Sequence, residues 1–545
     1  MADTNNILSS WNSKKDDTNN IKIKNLDNRV KKIEEYISMT DLNNYIKAVF
    51  SMQRTGKVFT SKFPLFSTSQ SSVGIKQDDN ANMACIPSTQ RQKNRNDYEN
   101  EPMFKPIECN WELDGNNGKI VLTSIEGLSS FSRDGSNGQV GIINMPWYVK
   151  SWNDDNYWYI SVTDTPKLGY KLLTECYTPT GEEQGFMVHS KYLMGDIDGK
   201  PYSASGLIPL TSDESSLNIS PIKVSFINLI NYCYKHNNFY CAETNFDLFF
   251  IQLQFLIKYA NLNMNQAVSS AGVLSYYIDN QTTNSSGLLF PSADTLYLPT
   301  YNTILSGSVF SNLRDSSGED YWRATIRDIN LNSKKIQLDG ASGIIYAGQG
   351  AVSMPWKTGC CDHVLGIDGF YDSNDLDHLG NQDRPLLIGG IECFSGGREV
   401  LGNALVNLNF VQNSTQRNVR IYKANNLKNM SNPSVIGSLV YGQVEDNSYI
   451  SYSDIDSLNS FIYPKEVQAS SQTGFASQIF TDNITSNASV TREILCLYNS
   501  IWELDISRDL SNKSYKTLSD GDSVRPGYNI VSRLSPNGMC QRPTN

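Results

Sequence analysis

Apolar residues at Ile23, Leu26, Val30, Ile33 and Ile37 recur every three to four positions, with Asp, Asn, Arg, Lys and Glu between them. That spacing predicts an amphipathic helix with a heptad seam, and isoleucine at both seam positions leans toward three strands. Residues 23–50 are therefore assigned as a helical, coiled-coil oligomerisation segment of a homotrimer; one helix packed on its own domain is the alternative. Thr40-Asp41 offers the cap for a second helical stretch reaching Phe50. Residues 1–22 are polar and Asn-rich and read as a disordered leader. Residues 51–100 lack periodicity, are rich in Ser, Gln, Asn and Lys, and read as an extended connector that wraps neighbouring chains.

Beyond residue 100 the pattern changes. Residues 109–163 alternate short strands with turn dipeptides such as Asp114-Gly115 and Asn137-Gly138, which predicts antiparallel β-structure. Phe226, Leu229, Ile230 and Cys233 mark one helix. Residues 246–262 are apolar on nearly every side, the pattern of a helix at the centre of its domain. A mixed α/β body is thus assigned to 101–287. Strand patterns at 295–299, 322–329 and 335–338, followed by Gly340, Gly343, Gly348 and Gly350, predict a small β-barrel insert at 288–355. The chain as a whole reads as multidomain α+β, mostly β, with a final unit at 356–545.

With 545 residues, several such units fit. Charged residues make up 19% of the chain, below the usual quarter, and Asn, Ser, Thr and Tyr fill the polar positions, which suits assembled or virion surfaces. A net charge of -10 argues against a nucleic-acid partner, because counterion release needs a basic stripe. The opening residues lack the pattern of a secretory signal, and the longest apolar run, 248–257, is too short to span a bilayer, so no membrane insertion is expected.

The stretch Gly389-Gly390-Ile391-Glu392-Cys393-Phe394-Ser395-Gly396-Gly397-Arg398-Glu399-Val400-Leu401-Gly402-Asn403 resembles the core segment of the C-type-lectin-like module, which is related to the formylglycine-generating enzyme fold; Phe394 and Val400 stand where tryptophans are more usual. Phe461-Ile462-Tyr463-Pro464, Arg492-Glu493-Ile494-Leu495, Asn499-Ser500-Ile501-Trp502 and Ser532-Arg533-Leu534 follow in that family's order. Upstream, residues 95–104, Asp134-Gly135-Ser136-Asn137-Gly138 and Val188-His189-Ser190-Lys191-Tyr192 resemble structural proteins of phages and prophages of Gram-positive gut bacteria. These resemblances imply a virion protein made in the bacterial cytoplasm and placed in the phage tail or baseplate. It would join other tail proteins through its N-terminal region and recognise a host cell-surface glycan or protein through its C-terminal module. A non-adhesive structural component, such as a head fibre or tail-tip protein, and a glycan depolymerase are the alternatives.

In the lectin-like family the segment after the strand corresponding to 492–502 is displayed. The resemblance therefore implies receptor contacts at Asn499, Trp502, Glu503, Asp505, Arg508, Asp509, Asn512 and Tyr515. A second candidate, for glycans, is the aromatic phrase holding Trp147, Tyr148, Trp152 and Trp158 around an Asp/Asn tip; a hairpin with both Trp152 and Trp158 in the core is the alternative. Asp368, Asp372, Asn374, Asp375 and Asp377 form an oxygen-rich loop, the only candidate for a cofactor, calcium, though it lacks the glycine and glutamate of an EF-hand. The ten cysteines show no Cys-x-x-Cys spacing and read as reduced core thiols, and the four histidines are scattered. No nucleophile elbow, zinc-protease motif or phosphate loop appears, so the chain reads as a binder rather than an enzyme.

Overall fold

A computed structural model describes residues 41–70, 73–207, 209, 226–268, 358–370, 385–393, 398–410, 417–423, 438–444, 448–456, 460–480, 490–497, 500, 502, 504–505 and 530–543, and several strands between 276 and 356. It is mostly β with few helices, and none of the described helices is long and apolar enough to cross a membrane. The seam at 23–37 lies outside the described residues.

Helix α1 (Leu42–Gln53) starts at Asp41, whose side chain accepts from Asn43 N. It buries Leu42, Ile46 and Phe50, spaced four apart, in the common core. Its apolar stripe is thus used inside the chain, so the C-terminal part of the expected 23–50 oligomerisation segment is part of the body.

The expected connector 51–100 also belongs to the body. Strand β1 (Val58–Pro64) pairs along its whole length with β7 (Tyr157–Thr163), and β2 (Ile75–Asp78) pairs with β1. With β6 (Tyr148–Asn153) and β8 (Lys171–Leu172) they form a five-stranded sheet in the order β2-β1-β7-β6-β8. Beside it β3 (Ile107–Leu113), β4 (Ile120–Ile125), β5 (Gln139–Asn144) and β9 (Met187–Ser190) make a four-stranded sheet. The connector hides its strand because polar residues are buried on both of its faces: the Thr60 hydroxyl is hydrogen-bonded to Asp78 and Ser161, and Asn80 Nδ2 donates to Ser61 Oγ. Their polarity erased the apolar signal on which strand assignment rests.

Helices α2 (Phe226–Cys233) and α3 (Asn245–Tyr259) follow, and α3 is the buried axis of the molecule. Thr244 and Asp247 close a capping box at its start, and Ala260 in the left-handed region ends it. Phe250 meets the Trp147 ring edge-on at 5.0 Å and the His189 ring stacked at 4.3 Å. α3 packs against β1 and β7 and also against strands of the C-terminal part at 386–388, 398–410 and 461–468.

Between 276 and 356 an antiparallel six-stranded sheet runs from Tyr276–Ile278 through Ala351–Trp356, Ser308–Asn312, Arg323–Asn330 and Lys335–Asp339 to Thr295–Tyr297. It recruits a strand upstream of the expected boundary at 288, and its two end strands are not paired with each other among the described residues.

The C-terminal part centres on the long strand Arg398–Phe410, antiparallel to Arg417–Lys423 and Val490–Cys496 and parallel to Ile530–Val531. The boundary drawn at 355 does not separate two cores. Leu534–Ser535 pairs with Cys241–Ala242 in the body, and Asn537 Nδ2 donates to Val188 O at 2.9 Å and to Asp247 Oδ1 at 2.9 Å.

Candidate functional site

Register decides which aromatics of the 147–159 phrase reach solvent. In the β6–β7 hairpin Trp152 lies opposite Tyr159, and Asn153 opposite Trp158, so Trp152 and Trp158 fall on opposite faces despite their equal parity in sequence. Trp158 turns inward and donates from Nε1 to Ser151 Oγ at 3.0 Å. Trp147 is fully buried and donates to Met103 O at 3.0 Å, and Tyr148 is buried as well. Three of the four candidate glycan residues, Trp147, Tyr148 and Trp158, are therefore core, which corrects their assignment. Only Trp152, 36% exposed, remains at the surface.

Trp152 is one rung of a ladder that sequence reasoning did not assemble. β1 places Lys62 opposite Tyr159, so Lys62, Tyr159 and Trp152 line up across three strands. The Trp152 and Tyr159 rings are stacked, with centroids 4.9 Å apart and planes 8° apart. Tyr157 meets Tyr159 edge-on at 6.3 Å, Lys62 Nζ lies 4.3 Å from the Tyr157 centroid, and Lys150 Nζ lies 4.8 Å from that of Trp152. Tyr159 Oη donates to Asp154 Oδ2 at 2.6 Å, which fixes the ring and holds the Asp154 carboxyl below its usual range. Asp154 Oδ1 also accepts from Asn156 N and Tyr157 N, so the Asp/Asn tip is a closed turn. Asn153 bonds the Tyr452 hydroxyl, and Lys465 Nζ lies 5.6 Å from the Tyr452 ring, which carries the face onto the C-terminal part. The missing signal was the non-local pairing of β1 with β7, which no local pattern announces.

The C-terminal display residues fare differently. Trp502 is buried, donates from Nε1 to Leu262 O at 2.7 Å, and meets the Phe475 and Phe255 rings edge-on at 5.7 and 6.5 Å. It is a core residue, not a displayed anchor. Asp505 pairs in a short strand with Leu495 and Phe480. Asn499, Glu503, Arg508, Asp509, Asn512 and Tyr515 lie outside the described residues.

The calcium candidate loses its first ligand. Both Asp368 oxygens face Lys258 Nζ, at 3.0 and 2.8 Å, and they also accept from Asn96 Nδ2 and Gly389 N. A buried carboxylate already matched to an ammonium group has little call for a cation. Asp372, Asn374, Asp375 and Asp377 lie outside the described residues.

Two further buried polar clusters stand in the core. His189 Nδ1 and Ser535 Oγ both face Asp247, at 2.8 and 2.6 Å. The three residue types are those of a hydrolase triad, but here the carboxylate sits in the middle and the serine bonds the acid rather than the imidazole, so no base stands on the hydroxyl. Burial opposes the Asp247 charge, yet His189, Ser535 and Thr244 together hold its pKa below the usual carboxylate range. In the second cluster Arg533 grips Glu399 through Nε and Nη2, at 2.7 and 2.8 Å, while Glu243 lies 3.8 Å from Arg533 Nε. Burial, then the Glu399 charge, raises the Glu243 carboxyl well above its usual range.

No family model, curated protein or solved structure matches the chain.

Proposed function

We propose that the protein is a binding component of a phage tail or baseplate, a homotrimeric host adhesin that holds a cell-surface glycan on the Lys62–Tyr159–Trp152 ladder. The observation that carries this reading is the exposed Trp152–Tyr159 stack, flanked by Lys62 and Lys150 and pinned by Asp154 on a rigid sheet. Fixed rings cover the apolar faces of sugars at small entropic cost, and adjacent lysine, Asn and Asp groups meet hydroxyls and anionic substituents. The phage assignment rests on the resemblance of residues 95–280 and 389–534 and is part of the proposal. Trimerisation is proposed through the seam at 23–37 alone, since Leu42, Ile46 and Phe50 are occupied in the body. Three weak sites on one particle gain by avidity, so each needs only modest affinity.

The test is adsorption of the full-length protein to host cells and to their purified envelope polysaccharide. Trp152→Ala combined with Tyr159→Ala is expected to keep the melting transition and lose adsorption by at least tenfold, since truncating an interface anchor typically costs ~2 kcal/mol or more. Full adsorption by that variant overturns the glycan face. Absence of adsorption by the unaltered protein favours the structural-component alternative.

A further inference from the structure

Far from the aromatic ladder in sequence, a second group of side chains has the chemistry of a metal site. Cys360 and Cys361 follow Gly359 in a tight turn, and Glu392 comes from the strand Ile391–Cys393. Their two sulfurs and a carboxylate oxygen all lie within 4.8 Å of one another. Cys361 and Glu392 are buried, and Cys360 is half-buried.

The surroundings hold these donors in place. Thr358 N donates to Leu207 O at 2.9 Å, and Thr358 Oγ1 donates to Ala204 O at 2.6 Å, which fastens the start of the turn to the body. Gly359 has φ +85, and a Cβ there would come within 1.9 Å of Ser205 Oγ, so the turn can close only with glycine. Gly359 N and Cys361 N donate to the two Glu392 oxygens, at 3.1 and 2.9 Å, which orients the carboxylate, and the Cys360 thiol is hydrogen-bonded to the same carboxyl group. Glu392 N in turn donates to Lys191 O at 3.0 Å. The nearest ammonium group, Lys191 Nζ, is engaged by Glu108 and Asp362, each at 2.7 Å.

We propose that Cys360, Cys361 and Glu392 bind one thiophilic divalent cation of the zinc class, with a water or another small ligand in the fourth position. Two sulfurs and one hard oxygen suit zinc over calcium or magnesium, which take oxygen shells. Bond lengths of ~2.0–2.3 Å place tetrahedral donors about 3.5 Å apart, so the group closes by roughly 1 Å, a rotamer adjustment of side chains already facing one another. Both thiols release their protons on binding and Glu392 binds as the carboxylate, so the three anionic donors and the divalent ion together carry one net negative charge. The ion would clamp the 358–363 turn onto the strand bearing Glu392, at the seam between the body and the C-terminal part.

The experiment uses the full-length protein, stripped with chelator and kept reduced with a phosphine so that no disulfide competes. Titration with Co2+ is expected to reach one equivalent, with an intense visible d–d band and a near-ultraviolet thiolate-to-metal band. Zn2+ should displace the Co2+ and raise the melting temperature. Cys360→Ser, at the less buried of the two cysteines, should weaken binding at least tenfold, as should Glu392→Gln, while Cys85→Ser leaves it unchanged. Failure to bind one equivalent at micromolar metal overturns the proposal, and so does binding that survives Cys360→Ser. Should Cys361→Ser fail to fold, the Cys360 variant alone decides.

Discussion

Arg533 and its two acids show how a buried charge can be stabilising on one side and costly on the other. Glu399 is matched to the guanidinium by two contacts, whereas Glu243 stands beside both and is driven toward its protonated form. A carboxyl whose pKa rises on folding takes up a proton that the unfolded chain releases, so its contribution is full below the ordinary carboxylate pKa. It is lost as pH climbs toward the folded value. Glu243→Gln carries its hydrogen permanently and is expected to raise the melting temperature at pH 8 relative to pH 5, measured against the unaltered protein at both pH values. Glu399→Gln removes the matched charge and leaves Glu243, 3.8 Å from Arg533 Nε, as the remaining acid, so it should lower the urea midpoint at pH 7 and favour ionisation of Glu243. Trp502 supplies a second residue-scale test. Trp502→Ala is expected to cost ~3–5 kcal/mol by leaving a cavity against Phe475 and Phe255, with Trp502→Phe less damaging because it mainly strands Leu262 O. Unfolding midpoints unchanged by Trp502→Ala would return that residue to the surface.

Among the elements, α3 was the most legible in sequence, because a helix apolar on every side has only one place to go. Its Gln252, Gln254 and Lys258 are buried along with the apolar residues, and no single-face pattern would have placed them there. Where reading by element failed, the cause was pairing between distant strands. Equal parity put Trp152 and Trp158 on one face, but the hairpin register separates them, and the ladder at Trp152 depends on β1, which polar inward residues disguised as a connector. The motif residues at 389–403 and 532–534 were visible, yet their roles were not: Arg533 meets Glu399, and Asn403 Nδ2 donates to Asn245 Oδ1 at 2.7 Å at the start of α3. The same start carries an acid-sensitive joint. Asp247 has a lowered folded pKa, so its contribution is present above the unfolded value of ~3.8 and is lost as pH falls through the lower folded one. Asp247→Asn is expected to melt lower than the unaltered chain at pH 7, with a gap that narrows as pH falls below ~3.8; a gap that stays constant across that range refutes the charge as the cause.

At the scale of the whole molecule, the chain end closes the structure. Leu534–Ser535 adds to Cys241–Ala242, the Ser190 hydroxyl bonds Leu534 O, Asn537 reaches Val188 and Asp247, and Arg542 Nη2 donates to Leu172 O at 2.7 Å. Each partner lies in the body, hundreds of positions earlier. The C-terminal part gives its own core to the same arrangement, because its strands pack on α3 and Trp502 hangs from Leu262. A fragment spanning 356–545 therefore lacks the surface on which it folds, and a chain ended at 529 leaves Asp247, Val188 and the Cys241–Ala242 edge without their partners. Buried hydrogen-bond groups left unmatched cost about 1–3 kcal/mol each, so losing several together exceeds a sizeable share of the ~5–15 kcal/mol that stabilises a typical domain. The chain ended at 529 is expected to lose cooperative thermal unfolding and to expose apolar surface to a hydrophobic dye. A chain begun at residue 41 should keep the full melting transition and, by light scattering, lose only the trimer proposed for the full chain. Should the 529 variant melt like the full chain, the tail is an appendage, the two parts are independent, and the body alone would have to account for the fold that holds the aromatic ladder.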